Sequence, residues 1–239
     1  MTLENKTVVI LGGSSGIGLA TAKAALEDGA HVIITGRSRD RLDAARAELG
    51  SKVQAVSLDA ANEEGTRSLF GDLKTVDHIF VTAATVTLRG GLAPTTEVLR
   101  PGMDTRFWGS IYAAKYGAPK MTAGGSITFT SGTSAWRPIP GSGGVGSASC
   151  GAVEALARSL AVDLAPIRVN TIAPGLIETP LIAEALGANA AAFVASEAKR
   201  LPVRRVGRGE DIADAVLFLM KNGFTTGITL TVDGGRTLV

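Results

Sequence analysis

The chain has 239 residues, of which 45% are hydrophobic and 19% are charged, and this composition suits one compact domain with a sizeable core. The net charge of +2 is scattered, without the basic stripe typical of nucleic-acid binding. The longest apolar runs have the length of strands, so we expect neither a membrane span nor a signal peptide. A single cysteine excludes an internal disulfide and favours a cytoplasmic location.

Strand-length apolar runs alternate with helical patterns along the chain. The first run is followed by a glycine-rich turn and a helix from about Gly16 to Asp28. Such alternation is typical of a parallel sheet with helices on both faces. We therefore predict a single doubly wound α/β domain over residues 1–239. Its seven or so strands are expected at Thr7–Leu11, His31–Thr35, Lys52–Leu58, Asp77–Val81, Ser126–Thr130, Arg168–Ile172 and Ile228–Val232.

A glycine-rich turn, GGSSGIG at residues 12–18, lies directly between the first strand and the first helix. Glycines permit the tight turn, and the helix N-terminus presents free N–H groups and a positive dipole end to a pyrophosphate. The alternative is a glycine turn that binds nothing. In this strand–turn–helix context the turn predicts a dinucleotide site formed by Gly12, Ser14, Ser15, Gly16, Ile17 and Gly18.

The end of the second strand indicates which dinucleotide is bound. An acidic residue there would bind the ribose 2′-hydroxyl of NAD, whereas a basic residue accommodates the 2′-phosphate of NADP. The strand leaves as Thr35-Gly36-Arg37-Ser38-Arg39, without an acid before Asp40. Arg37 offers a planar fork suited to phosphate, and the hydroxyls of Ser14 and Ser38 would add bonds. An exposed loop arginine is the alternative; we predict NADP(H).

The glycine turn resembles that of the classical short-chain dehydrogenase/reductase family, and so do Arg168–Gly175 (RVNTIAPG) and the terminal TG…VDGG between Thr226 and Gly235. The match runs from about residue 6 to 236. The resemblance implies a Rossmann-type oxidoreductase, paired into homodimers or homotetramers, with a small-molecule substrate. It further implies cofactor contacts from Asp59 and Ala60 at the adenine, from Ala83 after the fourth strand, and from Pro174, Gly175, Ile177 and Thr179 around the nicotinamide and diphosphate.

The departures from the family pattern lie where the family performs its chemistry. The family's tyrosine aligns with Gly146 and its lysine with Cys150. Its relay asparagine aligns with Arg106, and its serine with Ser131 or Gly132. In the family, tyrosine protonates the developing alkoxide, and lysine lowers the tyrosine pKa and holds the nicotinamide ribose. The chain therefore has the cofactor motifs without the standard acid.

Three residues are candidates to replace the missing groups. Arg106 would supply positive charge to a carbonyl, a carboxylate or the ribose; the alternative is a helix-surface arginine. Ser131 and Thr133 place hydroxyls at the end of the fifth strand, where open α/β sheets bind ligands, although such hydroxyls often satisfy turn backbones. Cys150 is interpreted as a small core residue, with a catalytic or redox role as the alternative.

Other side chains are weaker candidates. Trp136 is either a stacking wall for the substrate or a plug against the helices. Tyr112 and Tyr116 lie on one helical face and are assigned a structural role, since the family resemblance puts this helix at a dimer contact. His31 and His78 precede strands, at the wrong end of the sheet for catalysis.

Two further reaction classes find no support. No cluster of metal ligands appears in the sequence. A Gly-Ser-Gly at residues 141–143 does not follow a strand, so a hydrolase elbow is not supported.

Two functions follow from these observations. The first is an NADPH-dependent oxidoreductase that transfers hydride to a carbonyl, an imine or an activated alkene without the usual tyrosine and lysine. The alternative is a non-catalytic NADP(H)-binding sensor or regulatory protein. A purely structural oligomer is disfavoured by the intact glycine turn.

Overall fold

The computed structural model describes residues 2–85, 91–138 and 144–239. Its seven strands form one parallel sheet, which confirms the predicted fold class. The strands are β1 (Thr7–Leu11), β2 (His31–Gly36), β3 (Val53–Ser57), β4 (Val76–Val81), β5 (Met121–Thr130), β6 (Arg168–Pro174) and β7 (Thr229–Val232). Their order across the sheet is β3-β2-β1-β4-β5-β6-β7. The order reverses between β1 and β4, and ligands of open α/β sheets bind outside the strand ends at such a reversal.

Helices cover both faces of the sheet. They are α1 (Gly16–Glu27), α2 (Arg39–Leu49), α3 (Glu63–Gly71), α4 (Thr96–Leu99), α5 (Pro101–Met103), α6 (Gly109–Gly117), α7 (Val145–Asp163), α8 (Pro180–Leu186), α9 (Ala190–Arg200) and α10 (Gly209–Lys221). Buried residues of α1, α2 and α10 form one apolar cluster, and those of α3, α6 and α7 form a second.

Strand β1 is continuously apolar because both of its faces are buried. Val8 and Ile10 belong to the cluster on one face, whereas Val9 and Leu11 belong to the cluster on the other. Successive side chains of a strand point to opposite faces, so burial on both sides favours apolar residues at consecutive positions. The same burial on both faces continues in β4, all six residues of which are buried.

Some boundaries differ from the predicted ones. β5 starts at Met121 rather than Ser126, because Met121 already pairs with Val76 of β4. The register then shifts before Ser126 pairs with His78, and Gly124, at φ +82°, lies in this irregular part. A π-helical turn, Asp104–Trp108, separates α5 from α6. Before α7, residues 133–135 form a 3₁₀ turn, and residues 139–143, which include the Gly-Ser-Gly, lie outside the described residues. The described helices include none with the length and apolar character of a membrane span.

Candidate active site

A cleft of about 500 Å³ opens at the carboxyl ends of β1, β2 and β4, at the reversal of strand order. It gathers eleven of the fifteen residues predicted to bind the cofactor, from five separate stretches of the chain. These are Gly12, Ser14, Ser15, Gly16, Ile17, Arg37, Ser38, Asp59, Ala60, Ala83 and Thr179. The other four, Gly18, Pro174, Gly175 and Ile177, do not line it.

The glycine turn forms the floor of the cleft. Gly12 has φ +97°, and a Cβ there would lie 2.6 Å from the amide nitrogen of Ala83. A Cβ on Gly18 would collide with the carbonyl oxygen of Gly12, so Gly18 allows helix α1 to approach the turn without itself reaching the cleft. Only glycine permits this close approach. Side chains at these two positions would push the turn away from Ala83 and from α1, and so would change the shape of the cleft floor.

The N-terminus of α1 supplies hydrogen-bond donors at this floor. Its N-cap residue, Ser15, makes no side-chain capping hydrogen bond, so no serine oxygen occupies the amides of the first turn. Free N–H groups and the positive end of the helix dipole make such a terminus an anion site. The terminus therefore fits the diphosphate of a dinucleotide.

Arg37 and Ser38 form one wall, just beyond β2. Arg37 is exposed and forms no ion pair with the described acidic residues. The oxygen of Ser38 accepts a hydrogen bond from the backbone amide of Arg41 at 3.3 Å and caps α2, which leaves its hydroxyl hydrogen to donate elsewhere. Asp59 and Ala60 line the cleft after β3, and Asp59 Oδ1 already accepts the amide of Ala61 at 3.0 Å.

The segment after β6 enters the cleft only at its end. Ile177 is buried in the core, and a Cβ on Gly207 would lie 2.5 Å from its Cδ1 atom. Its side chain therefore faces the core rather than a cofactor, because the segment pairs with Gly207 in a parallel bridge. Gly175 packs against Asp233, to which a Cβ would come within 2.7 Å. Thr179 is the member of this segment that lines the cleft.

Sequence reasoning missed several lining residues. The most informative are Arg41 and Glu184, whose side chains form an ion pair with 2.7 Å between Nη2 and Oε1. The four-residue spacing of Arg41 from Arg37 was the available signal for the arginine; no local pattern marks Glu184. The remaining lining residues that were not predicted are Thr35, Gly36, Leu58, Thr82, Ala84, Thr105 and Pro180.

Gly146 is the residue that the family resemblance aligns with the catalytic tyrosine. Gly146 lies in the first turn of α7, and a Cβ there would find no atom within 4 Å among the described residues. Cys150, one turn later, is 3% exposed, and the hydroxyl of Ser134 donates to its sulfur at 3.7 Å. A buried thiol of this kind matches the core interpretation. Gly146 has no side chain and Cys150 is buried, so neither residue presents an exposed proton donor.

Arg106 is a buried residue whose side chain is hydrogen-bonded to the backbone. It lies in the π-helical turn and is 9% exposed. Its Nη1 donates to the carbonyl oxygens of Thr130 at 2.8 Å and Ser131 at 3.1 Å, while its buried Nε has no partner among the described residues. The predicted alternative of a helix-surface arginine is wrong, because the π-helical turn directs the side chain to the end of β5. In this position Arg106 holds the backbone of that strand end.

Ser131 and Thr133 are both buried. The hydroxyl of Ser131 donates to Glu154 Oε1 at 2.5 Å and is 3.3 Å from the carbonyl oxygen of Cys150. Thr133 is 3% exposed, within the 3₁₀ turn. Glu154 is itself buried and lies one turn beyond Cys150 on α7. The serine hydroxyl is therefore directed to a carboxylate that sequence reasoning did not identify.

The remaining candidates are three aromatic residues. Tyr116 donates to Glu63 at 2.6 Å, and Tyr112 stacks on Trp108, so both tyrosines have structural contacts. Trp136 is 50% exposed, which excludes the buried plug.

His78 and the possible metal-binding residues are the last candidates for a catalytic role. His78 Nδ1 lies 2.9 Å from Ser126 Oγ at the start of the buried part of β5, and burial lowers the pKa of His78 to about 4. The residues that the structure covers contain no cluster that would hold a metal ion.

Comparisons with known proteins agree with this geometry. A family model described as Enoyl-(Acyl carrier protein) reductase matches residues 12–237. The chain is 35% identical to the short-chain dehydrogenase/reductase malC of Malbranchea aurantiaca, over 99% of this chain and 96% of that protein. The solved structure titled MalC Reductase/Diels-Alderase has a TM-score of 0.91 at 33% identity, over 99% of this chain and 98% of that one.

Two further similarities concern the cofactor. An NADP-dependent (R)-specific alcohol dehydrogenase of Lentilactobacillus kefiri is 33% identical, with 98% of each chain covered. A solved small-chain dehydrogenase in complex with NADPH is 33% identical, with a TM-score of 0.81 over 99% of this chain and 100% of that one. Together with the seven-stranded fold and the glycine cradle, these matches show that the chain belongs to the classical short-chain dehydrogenase/reductase family of oxidoreductases.

Proposed function

We propose that this chain is an NADPH-dependent reductase whose substrate arrives already activated, so that hydride transfer needs no tyrosine acid. One observation carries the proposal: the cleft contains Gly12, Gly16 and Arg37, while a Cβ at Gly146, the residue aligned with the family's tyrosine, would meet no atom of the described residues. The amides at the start of α1 would hold the diphosphate, Arg37 the 2′-phosphate, and Asp59 and Ala60 the adenine. Bound NADPH supplies the hydride.

The hydrogen bonds that the polar candidates already form, and their burial, favour particular substrates. Ser131 donates to Glu154, Arg106 donates to strand carbonyls, and Cys150 is buried, so none of the three replaces the tyrosine as an acid. An iminium carries its charge before the reaction and becomes a neutral amine on accepting hydride. An activated alkene accepts its proton from water. A ketone needs a donor for the developing alkoxide and is the least suited of the three.

The names of the similar proteins support reduction as the reaction class. They name an enoyl reductase, a reductase/Diels-Alderase and an alcohol dehydrogenase. These proteins span alkene and carbonyl chemistry, so the choice of an iminium or an alkene for this chain rests on Gly146, which has no side chain.

The reaction is tested by NADPH oxidation with a panel of cyclic imines, activated alkenes and ketones, beside a reaction without substrate. We expect turnover with imines or alkenes, and rates with ketones at least a hundredfold lower, the usual contribution of a general acid. A ketone reduced as fast as the best imine would contradict the proposal, because the site would then contain an acid.

The cofactor is tested by Arg37→Asp. Loss of the guanidinium and repulsion from the new carboxylate should weaken NADPH binding at least tenfold. NADH binding should be unchanged or tighter, because an acid at this position can accept a hydrogen bond from the free ribose 2′-hydroxyl. Arg39→Asp is the matched control, since Arg39 is exposed nearby and does not line the cleft. Dissociation constants from calorimetric titration measure both. Unchanged NADPH affinity in Arg37→Asp would overturn the assignment of NADP(H).

A non-catalytic NADP(H) sensor is the second candidate, and the internal hydrogen bonds of Ser131 and Arg106 favour it. It predicts tight NADPH binding without turnover of any panel compound. It also predicts an oligomeric state that differs between NADP⁺ and NADPH, measured by analytical ultracentrifugation. Identical sedimentation with both forms would count against it.

A further inference from the structure

An ion pair crosses the mouth of the cofactor cleft. Arg41 lies in the first turn of α2, on the wall that also carries Arg37 and Ser38. Glu184 lies on α8, on the wall that begins at Thr179. Arg41 Nη2 and Glu184 Oε1 are 2.7 Å apart, and both side chains are half exposed. The pair therefore joins two walls between which the cofactor must lie.

The position of Arg41 suits a phosphate. The hydrogen bond from its backbone amide to the Ser38 oxygen anchors it in the same turn as Ser38, four residues beyond Arg37. Its Nη2 bonds to Glu184, and the other guanidinium nitrogens have no hydrogen-bond partner among the described residues. A guanidinium fork matches phosphate oxygens in geometry and charge.

We propose that Arg41 is a second ligand of the cofactor's 2′-phosphate, and that Glu184 is the anion it releases when NADP(H) binds. This inference rests on the proposed function. An exposed ion pair is weak and readily exchanged. A phosphate carries more negative charge than a carboxylate and offers three acceptor oxygens, so it competes well for the same guanidinium.

Glu184 is then a specificity-determining residue that weakens NADP(H) binding. Its carboxylate must give up its ion pair with Arg41 when the 2′-phosphate binds, and breaking that pair costs binding energy. NAD(H) has no 2′-phosphate, so its binding leaves the pair intact. The other acid of the cleft, Asp59, lies on the adenine wall and has its own backbone partner in Ala61.

A double-mutant cycle tests the exchange. Dissociation constants for NADPH and NADH are measured by calorimetry for the wild type, Glu184→Gln, Arg41→Gln and the double variant. We expect Glu184→Gln to tighten NADPH binding about two- to fivefold and Arg41→Gln to weaken it about tenfold. The double variant should bind NADPH as Arg41→Gln does, and NADH affinity should stay within about twofold throughout. Arg39→Gln, on the same turn but outside the cleft, is the control for loss of charge.

Three results would overturn the exchange. The first is an equal effect of Glu184→Gln on the affinities for NADPH and NADH. The second is that Glu184→Gln still tightens NADPH binding in the Arg41→Gln background. The third is weaker NADPH binding in Glu184→Gln, which would mean that the ion pair closes over bound cofactor. Failure of the proposed function is distinguishable. It would appear as a wild type without preference for NADPH and an Arg37→Asp variant with unchanged NADPH affinity.

Discussion

Ser131 and Glu154 form a buried contact between β5 and α7. The serine hydroxyl donates to the carboxylate at 2.5 Å, and both residues are less than 10% exposed. A buried carboxylate needs hydrogen-bond donors, since its desolvation is otherwise uncompensated. The contact thus gives Ser131 a structural role at the position where the family resemblance implied a catalytic hydroxyl.

Ser131→Ala should therefore lower the free energy of unfolding while having little effect on the rate of NADPH turnover. Removing the hydroxyl leaves the Glu154 carboxylate without this donor, which costs about 1–3 kcal/mol of unfolding free energy. Ser159→Ala is the matched control, because Ser159 makes an exposed hydrogen bond to Asp163 on the same helix and should change stability by less than about 0.5 kcal/mol. Urea unfolding measures both. If Ser131→Ala kept wild-type stability and lost NADPH turnover, Ser131 would be the acid.

His78 gives stability a pH dependence. Burial lowers its pKa from 6.5 to about 4, so the unfolded chain binds a proton more readily than the folded one between these values. Stability should fall by about 2 kcal/mol from pH 7 to pH 5 through this residue. Urea unfolding of His78→Asn over this range should show a shallower pH slope. His31→Asn, at an exposed position, should keep the wild-type slope; a steep slope in His78→Asn would assign the effect to other groups.

At the scale of elements, the helices contain two kinds of glycine. Gly18 in α1 lies so close to the carbonyl oxygen of Gly12 that no side chain fits. At Gly151, in the interior of α7, a Cβ would have no atom of the described residues within 4 Å. The first glycine is required by packing, whereas the second only costs helix stability.

Alanine at these two positions should have opposite effects. Gly151→Ala should raise the free energy of unfolding by about 0.5–1 kcal/mol, because alanine has the higher helix propensity. Gly18→Ala should lower it by about 1–3 kcal/mol and weaken dinucleotide binding, because the helix must move away from the turn. Thermal unfolding with and without NADPH compares them. A neutral Gly18→Ala would mean that the close approach is not needed.

The glycine turn and the strands were predictable for a physical reason. Both depend on local sequence: the turn on backbone freedom at Gly12 and Gly16, and the strands on apolar runs buried on both faces. The π-helical turn at Asp104–Trp108 was not predicted, because such a turn depends on packing against α7 and β5 rather than on a residue pattern.

At the scale of the whole molecule, an apolar groove lies between α6 and α7, on the side away from the cleft residues of α1 and α2. Its volume is about 490 Å³. It is lined by Ile111, Ala114, Lys115, Ala118, Pro119, Leu156, Leu160, Leu164 and Ile167. Exposed apolar surface of this kind marks contact sites. The homodimer or homotetramer implied by the family resemblance stays a prediction, and this groove is the surface on which it can be tested.

Ile111→Glu should dissociate such an assembly. A charge buried in an apolar contact is uncompensated, so the molar mass at a fixed concentration should fall by about half or more. Light scattering after size-exclusion chromatography measures the mass. Val98→Glu, at an exposed apolar residue of α4, is the control and should keep the wild-type mass. A wild-type mass in Ile111→Glu would exclude the groove as the contact.

The sequence by itself determined the sheet, the glycine turn at residues 12–18 and the place of Arg37 just beyond the second strand. Each of these depends on residues that lie close together in the sequence, so that their spacing can be taken directly from it. Only the tertiary structure decided that Ser131 bonds to Glu154, that Arg106 holds the end of β5, and that Arg41 meets Glu184 across the cleft. These contacts join residues 23 to 143 positions apart, and only the folded sheet brings them together.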